Sequence, residues 1–160
     1  EIVNTDAEGR VILSDALAYA VEQEPDAIVD LATLTGACVV ALGYHASGVL
    51  GNDESLLGLM KECGDTSGER VWPLPLWKEH RTDIESSVAD IKNSGGRAGG
   101  VLTAGAFLER FVGGKPWVHL DIAGTAYTEN WARGPPYLTP QCATGVGVRL
   151  LLEFARRWGG

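Results

Sequence analysis

The sequence predicts an α/β fold, helices layered on a mostly parallel sheet, and three observations predict it. Segments with apolar residues at helical spacing alternate with short, nearly continuous apolar runs, the order expected of a layered domain. Those runs, Ala27–Ala32 and Trp117–Gly124, have strand length and little polar alternation, which suits strands covered on both faces. Turn residues follow each run, where open α/β sheets place their ligands, outside the carboxyl ends of strands. At 160 residues, with no internal repeat and no linker, the chain reads as a single domain with one core.

In chain order, Val11 to Val21 puts Leu13, Ala16, Leu17, Ala20 and Val21 on one helical face, and Pro25 limits that helix. Ala27–Ala32 is the first strand, and Thr33–Ala37 the strand-to-helix turn and a candidate substrate wall. Cys38 to Leu42 continues apolar. Ser47–Leu50 is a further strand, after which Asn52 or Asp53 caps a helix through Leu56, Leu57, Leu59 and Met60 ending near Gly64. Val71–Leu76 contains two prolines, which remove ladder donors, so it is an extended surface or interface segment and not a central strand. The glycine-rich loop Ala89–Gly100 precedes a helix carrying Val101, Leu102, Ala104, Phe107, Leu108, Phe111 and Val112. It lacks the spacing of a phosphate loop, and a tight backbone crossing is expected. Trp117–Gly124 is the second core strand; His119 and Asp121 share a face, where a buried structural pair or backbone bonding is expected rather than metal ligation. Asn130–Gln141 reads as an irregular loop with three of the seven prolines, and Val146–Phe154 as a closing helix with Arg156 and Arg157 in its last turn.

Composition removes several function classes. The net charge is −8 and no Lys/Arg cluster occurs, so a nucleic-acid partner is not expected. No apolar run reaches about 18 residues, so no membrane-spanning helix is expected. Three cysteines without C-x-x-C spacing fit free thiols and a cytoplasmic location, with Cys38 a packing residue. The absence of an initiator Met and of a secretory signal leads us to expect a processed chain or an excised fragment.

The chemistry concentrates in Glu1–Arg10. If this stretch is extended, Asp6, Glu8 and Arg10 point to one face. Two carboxylates about 5 Å apart repel by on the order of 3 kcal/mol at an effective dielectric of about 20, so a cation, a shared proton or Arg10 must relieve them. Gly9 leaves room for a ligand to approach the backbone. Bridging metal ligation suits adjacent acids better than a glycosidase pair set across a cleft. A solvated charged turn is the plainer alternative.

The heptapeptide Asn4-Thr5-Asp6-Ala7-Glu8-Gly9-Arg10 resembles the signature of the leucyl aminopeptidase (cytosol aminopeptidase, M17) family. Asp30–Ala37, Ala89–Asn93, His119–Gly124 and Ala143–Arg149 resemble later segments of that family, in order, so the likeness spans nearly the whole chain. It implies a zinc-exopeptidase-like, three-layer αβα fold with a mixed, mostly parallel sheet, incomplete here because residues 1–160 would be the C-terminal part of the catalytic domain. It further implies a two-metal aminopeptidase acting on peptides, leucine preferred, assembled as a homo-hexamer. By the same likeness Asp6 and Glu8 are ligands to two divalent ions, zinc with manganese or magnesium able to replace one. Arg10 is the catalytic arginine that holds a bicarbonate acting as general base. Thr33, Leu34 and Gly36 line the substrate, and Ala123 and Ala126 the pocket for its first side chain. Ala126 stands where some members carry a larger residue, which leaves the pocket size open. The family's remaining ligands, a lysine and two aspartates, and its catalytic lysine precede the signature. Two zinc ions need about four ligands each, which Asp6 and Glu8 cannot supply. The chain alone is therefore expected to be inactive and to bind metal weakly or not at all, or to serve as a non-catalytic module for assembly or binding.

Overall fold

The structure is a computed structural model in which residues 1–127 and 142–158 are described; the proline-containing loop expected at Asn130–Gln141 lies outside them. A single 3-10 turn, Thr5–Ala7, leads into α1 (Glu8–Glu22), β1 (Ile28–Ala32), α2 (Gly36–Leu42) and β2 (Ser47–Gly51). There follow α3 (Glu54–Ser67), β3 (Val71–Pro73), the short α4 (Lys78–Thr82), α5 (Gly100–Glu109), β4 (Trp117–Asp121) and α6 (Val148–Arg157).

The described strands form one sheet in the order β1-β4-β2-β3. β1 runs parallel to β4 and β2 parallel to β3, whereas β2 and β4 are antiparallel, so the sheet is mixed and mostly parallel. Every residue of β4 is buried, as an apolar central strand with helices on both faces must be. Alternation along β4 sends Val118 and Leu120 into a core with Leu56, Leu57 and Met60 of α3 and Leu150 of α6. Trp117 points the other way, into a core with Leu17 of α1 and Ala106, Phe107 and Leu108 of α5. The result is the expected three-layer αβα arrangement.

Local chemistry fixes the element ends. Asp53 caps α3 by accepting from the Leu56 N–H at 2.8 Å. That helix runs beyond Gly64 to Ser67, where Gly68 turns it off at φ 75°. The prolines of 71–76 confine β3 to the sheet edge. Cys38 is 1% exposed, as a packing residue should be.

One expectation is overturned. The first ten residues are not extended: Thr5–Ala7 is a 3-10 turn, and α1 begins at Glu8, a turn earlier than the apolar spacing suggests. The cause is Asn4, whose side chain accepts from the Asp6 N–H at 3.0 Å and so starts the turn. In a helix, residues two apart project about 200° from one another. Asp6, Glu8 and Arg10 therefore do not share a face by alternation.

Candidate active site

The carboxyl ends of the parallel pair β1 and β4, at Ala32 and Asp121, put the loops 33–35 and 122–126 side by side. Asp121 joins them. Its carboxylate is fully buried and accepts from the Leu34 N–H (3.2 Å), the Thr35 N–H (3.4 Å), the Thr35 hydroxyl (2.6 Å) and the Ala123 N–H (3.2 Å). A buried carboxylate satisfied this fully ties its loops tightly. Thr35 in turn caps α2 by accepting from the Cys38 N–H at 3.0 Å. Thr33 stands exposed on this loop and Gly36 at the first position of α2, and Ala126 closes the second loop through its N–H to the Ile122 carbonyl at 2.9 Å.

Arg10 faces the same region. Only 8% exposed, it donates from Nη1 to the Asn93 carbonyl at 2.9 Å. Burial pushes its guanidinium below the ordinary arginine value, and the charge of Asp121 pulls it back up. Asp6 and Glu8 are exposed on the turn and the first residue of α1, ahead of Arg10, and among the described residues neither carboxylate has a hydrogen-bond or ionic partner. Leu34, Thr35 and Ala123 thus gather around Asp121, whose charge is felt at Arg10. Asp6 and Glu8 lie one helical turn or less from Arg10 on the surface. Nothing lies within 4 Å of the place a Cβ on Gly9 would take, so the backbone between Glu8 and Arg10 is open to a ligand.

The fit to metal is partial. Two unpartnered carboxylates are hard oxygen donors of the kind zinc, manganese and magnesium accept. Among the described residues, however, no group of three or more His, Cys, Asp or Glu side chains is gathered to hold an ion. His119 is fully buried, with its Nδ1 paired to Asp30 Oδ1 at 2.5 Å, while Asp30 Oδ2 accepts the Trp117 indole N–H at 2.6 Å. The buried pair expected of His119 and Asp121 does not form: His119 pairs across strands with Asp30, while Asp121 takes the other expected course, bonding to backbone amides, with the Thr35 hydroxyl added.

Sequence reasoning passes over Asn93, includes Thr35 only within the wall Thr33–Ala37, and weighs Asp121 only beside His119. Asp121, an acid inside a strand otherwise apolar at its end, carried a readable signal; the partners of Asn93 lie some ninety positions away and carried none.

These features define an αβα domain with a buried aspartate and its two loops gathered at strand carboxyl ends. The chain belongs to the cytosol aminopeptidase family: the model of that family's catalytic domain matches residues 1–152. It is 59% identical over 157 residues to a probable cytosol aminopeptidase of Geobacter sp. strain M21, covering 98% of this chain and 31% of that relative. A probable cytosol aminopeptidase of Geobacter sulfurreducens is 58% identical over 156 residues, covering 98% and 31%. One from Roseiflexus castenholzii is 53% identical over 158 residues, covering 99% and 32%. The chain spans about a third of the length of the curated relatives it matches.

Proposed function

We propose that the chain is the C-terminal part of the catalytic domain of a two-metal aminopeptidase that releases N-terminal residues, leucine preferred, from peptides in the cytoplasm. The observation that carries this reading is the pair of unpartnered carboxylates, Asp6 and Glu8, one helical turn or less from a buried arginine. Asp6 and Glu8 would hold part of a divalent metal pair, zinc with manganese or magnesium able to replace one ion, and segments outside this chain would complete it. When bound, such a pair polarises a carbonyl and lowers the pKa of water.

The residues of this chain do the rest. Arg10 keeps one arm on the Asn93 carbonyl, while its Nη2 and Nε make no hydrogen bond to the described residues. Those donors are available to a bicarbonate general base and to negative charge developing on the substrate oxygen. Thr33, Leu34 and Gly36 form one substrate wall, with Ala123 and Ala126 the other, lining the pocket for the first side chain. Asp121, by holding the Leu34 and Ala123 amides, sets the separation of the two walls. The exposed Ile12 and Tyr19 of α1, 69% and 65% accessible, support burial against further protein in a homo-hexamer of the full-length polypeptide. The same exposed side chains support the alternative of a non-catalytic assembly module, which sedimentation of the chain alone separates from a monomeric fold.

Hydrolysis of leucyl-p-nitroanilide tests the proposal. The 160-residue chain should be inactive, and the full-length polypeptide active with manganese or zinc and silenced by Glu8→Ala. Activity of the short chain that Glu8→Ala abolishes refutes the need for outside ligands. A full-length Glu8→Ala variant that turns over normally refutes the site.

A further inference from the structure

We infer that Asn93 is the positioning residue of the acid–arginine cluster, fixing the direction of Asp6, Glu8 and Arg10 without touching substrate or metal; the inference rests on the proposed function above. Asn93 is 2% exposed. Its side-chain Oδ1 accepts from the Val3 N–H at 3.0 Å and the Asn4 N–H at 3.3 Å. Its Nδ2 donates to the Asn4 carbonyl at 2.7 Å and the Ala7 carbonyl at 3.4 Å. The backbone takes part as well: the Asn93 N–H donates to the Glu1 carbonyl at 2.8 Å, and the Asn93 carbonyl accepts Arg10 Nη1 at 2.9 Å. Flipping the amide would set an oxygen against two carbonyls and an NH₂ against two N–H groups, so the surroundings allow one orientation.

The clamp reaches each proposed functional side chain by a short path. Asn4, held on both its N–H and its carbonyl, caps the turn that presents Asp6. The Ala7 carbonyl is held directly beside Glu8, and Arg10 ends on the clamp itself. Asn93 is in turn anchored to the core, since its neighbour Lys92 donates its N–H at 2.9 Å to the carbonyl of Ile84, a residue 1% exposed. Only an amide of this length supplies two acceptor contacts and two donor contacts here. Aspartate keeps the shape but loses both donors and faces two carbonyls; alanine loses all four contacts.

The test uses the full-length polypeptide and reads metal affinity by equilibrium dialysis with Mn²⁺, together with kcat and KM separately. Asn93→Ala and Asn93→Asp should each weaken Mn²⁺ binding by about 10–100-fold, as loss of groups that orient metal ligands does. Each should lower kcat by about 100-fold, the scale of a misplacement near 1 Å, and leave KM within about threefold because the substrate walls hang on Asp121. Leu57→Ala, in the core on the far side of the sheet, serves as the control for destabilisation alone and should change neither quantity. Normal turnover by Glu8→Ala sinks the proposed function. Silence of Glu8→Ala beside unchanged Mn²⁺ affinity and kcat in both Asn93 variants sinks only the positioning role. So does failure of both variants to fold, which makes Asn93 a folding residue, and so does an equal loss in the Leu57→Ala control.

Discussion

Replacing Thr35 by valine keeps the shape of the side chain and deletes one oxygen that serves two partners. The hydroxyl caps α2 through the Cys38 N–H at 3.0 Å and donates to Asp121 at 2.6 Å. Loss of an N-cap costs about 1 kcal/mol, and loss of a hydrogen bond to a buried carboxylate about 1.5–3 kcal/mol. Asp121 keeps three backbone donors, those of Leu34, Thr35 and Ala123, so the second figure falls toward its lower end. Together the two effects amount to about 2–4 kcal/mol. At roughly 2–4 °C per kcal/mol for a domain of this size, Tm should fall by about 5–12 °C. Thermal unfolding followed by circular dichroism measures it, and amide hydrogen exchange at Cys38 should accelerate in the variant. Thr35→Ser retains the oxygen and should melt within about 1 kcal/mol of the parent. A valine variant melting within about 2 °C of the parent, or a serine variant as damaged as the valine, refutes the reasoning that the hydroxyl ties the strand ends together.

Burial, together with the charge of Asp121, pushes the Cys38 thiol up to about 11 from an ordinary 9.0. Its unfolded form ionises first, so the contribution is intact below pH 9 and lost as pH rises toward 11. A decline of about 2–3 kcal/mol across that window is expected; urea titrations at pH 8 and pH 10.5 should show it, and Cys38→Ala should flatten it. Gly124→Ala should destabilise strongly, because a Cβ there collides with the backbone carbonyl of Gly43, which cannot swing aside; a melting temperature near the parent's would contradict that packing. Gly9→Ala meets no atom and removes a glycine from α1, so chemical denaturation of the isolated chain should show a gain of about 0.5–1 kcal/mol. The same substitution in the full-length polypeptide should lower leucyl-p-nitroanilide turnover, since it roofs the backbone between Glu8 and Arg10.

The elements most legible in the sequence are those governed by their own residues. Nearly continuous apolarity marked the half-buried β1 and the buried β4, Asp53 announced α3, and Pro73 with Pro75 kept β3 out of the sheet centre. The first ten residues depart from alternation because a capping signal stands there. Asn4 followed by acidic residues in the next turn is a helix start, and it moved Asp6 and Glu8 onto helical positions. The residues that shape the candidate site were hidden for a different reason. Asn93 acts through partners more than eighty positions away, and no local window holds both ends of such a bond; Asp121 stands out as an acid closing an apolar strand, but its partners Leu34 and Thr35 lie as far off.

The two margins of the sheet differ in kind. At β3 the prolines remove donors. At β1 the Ile28 N–H and the Ala32 carbonyl are bound toward β4, so Val29 and Leu31, at odd positions, direct their own N–H and C=O groups outward. No described strand pairs with them, and neither a proline nor a lysine blunts that side. Among the described residues one border is sealed and the other is an open seam, where the 160-residue chain is expected to recruit another extended segment or, in isolation, its own copies.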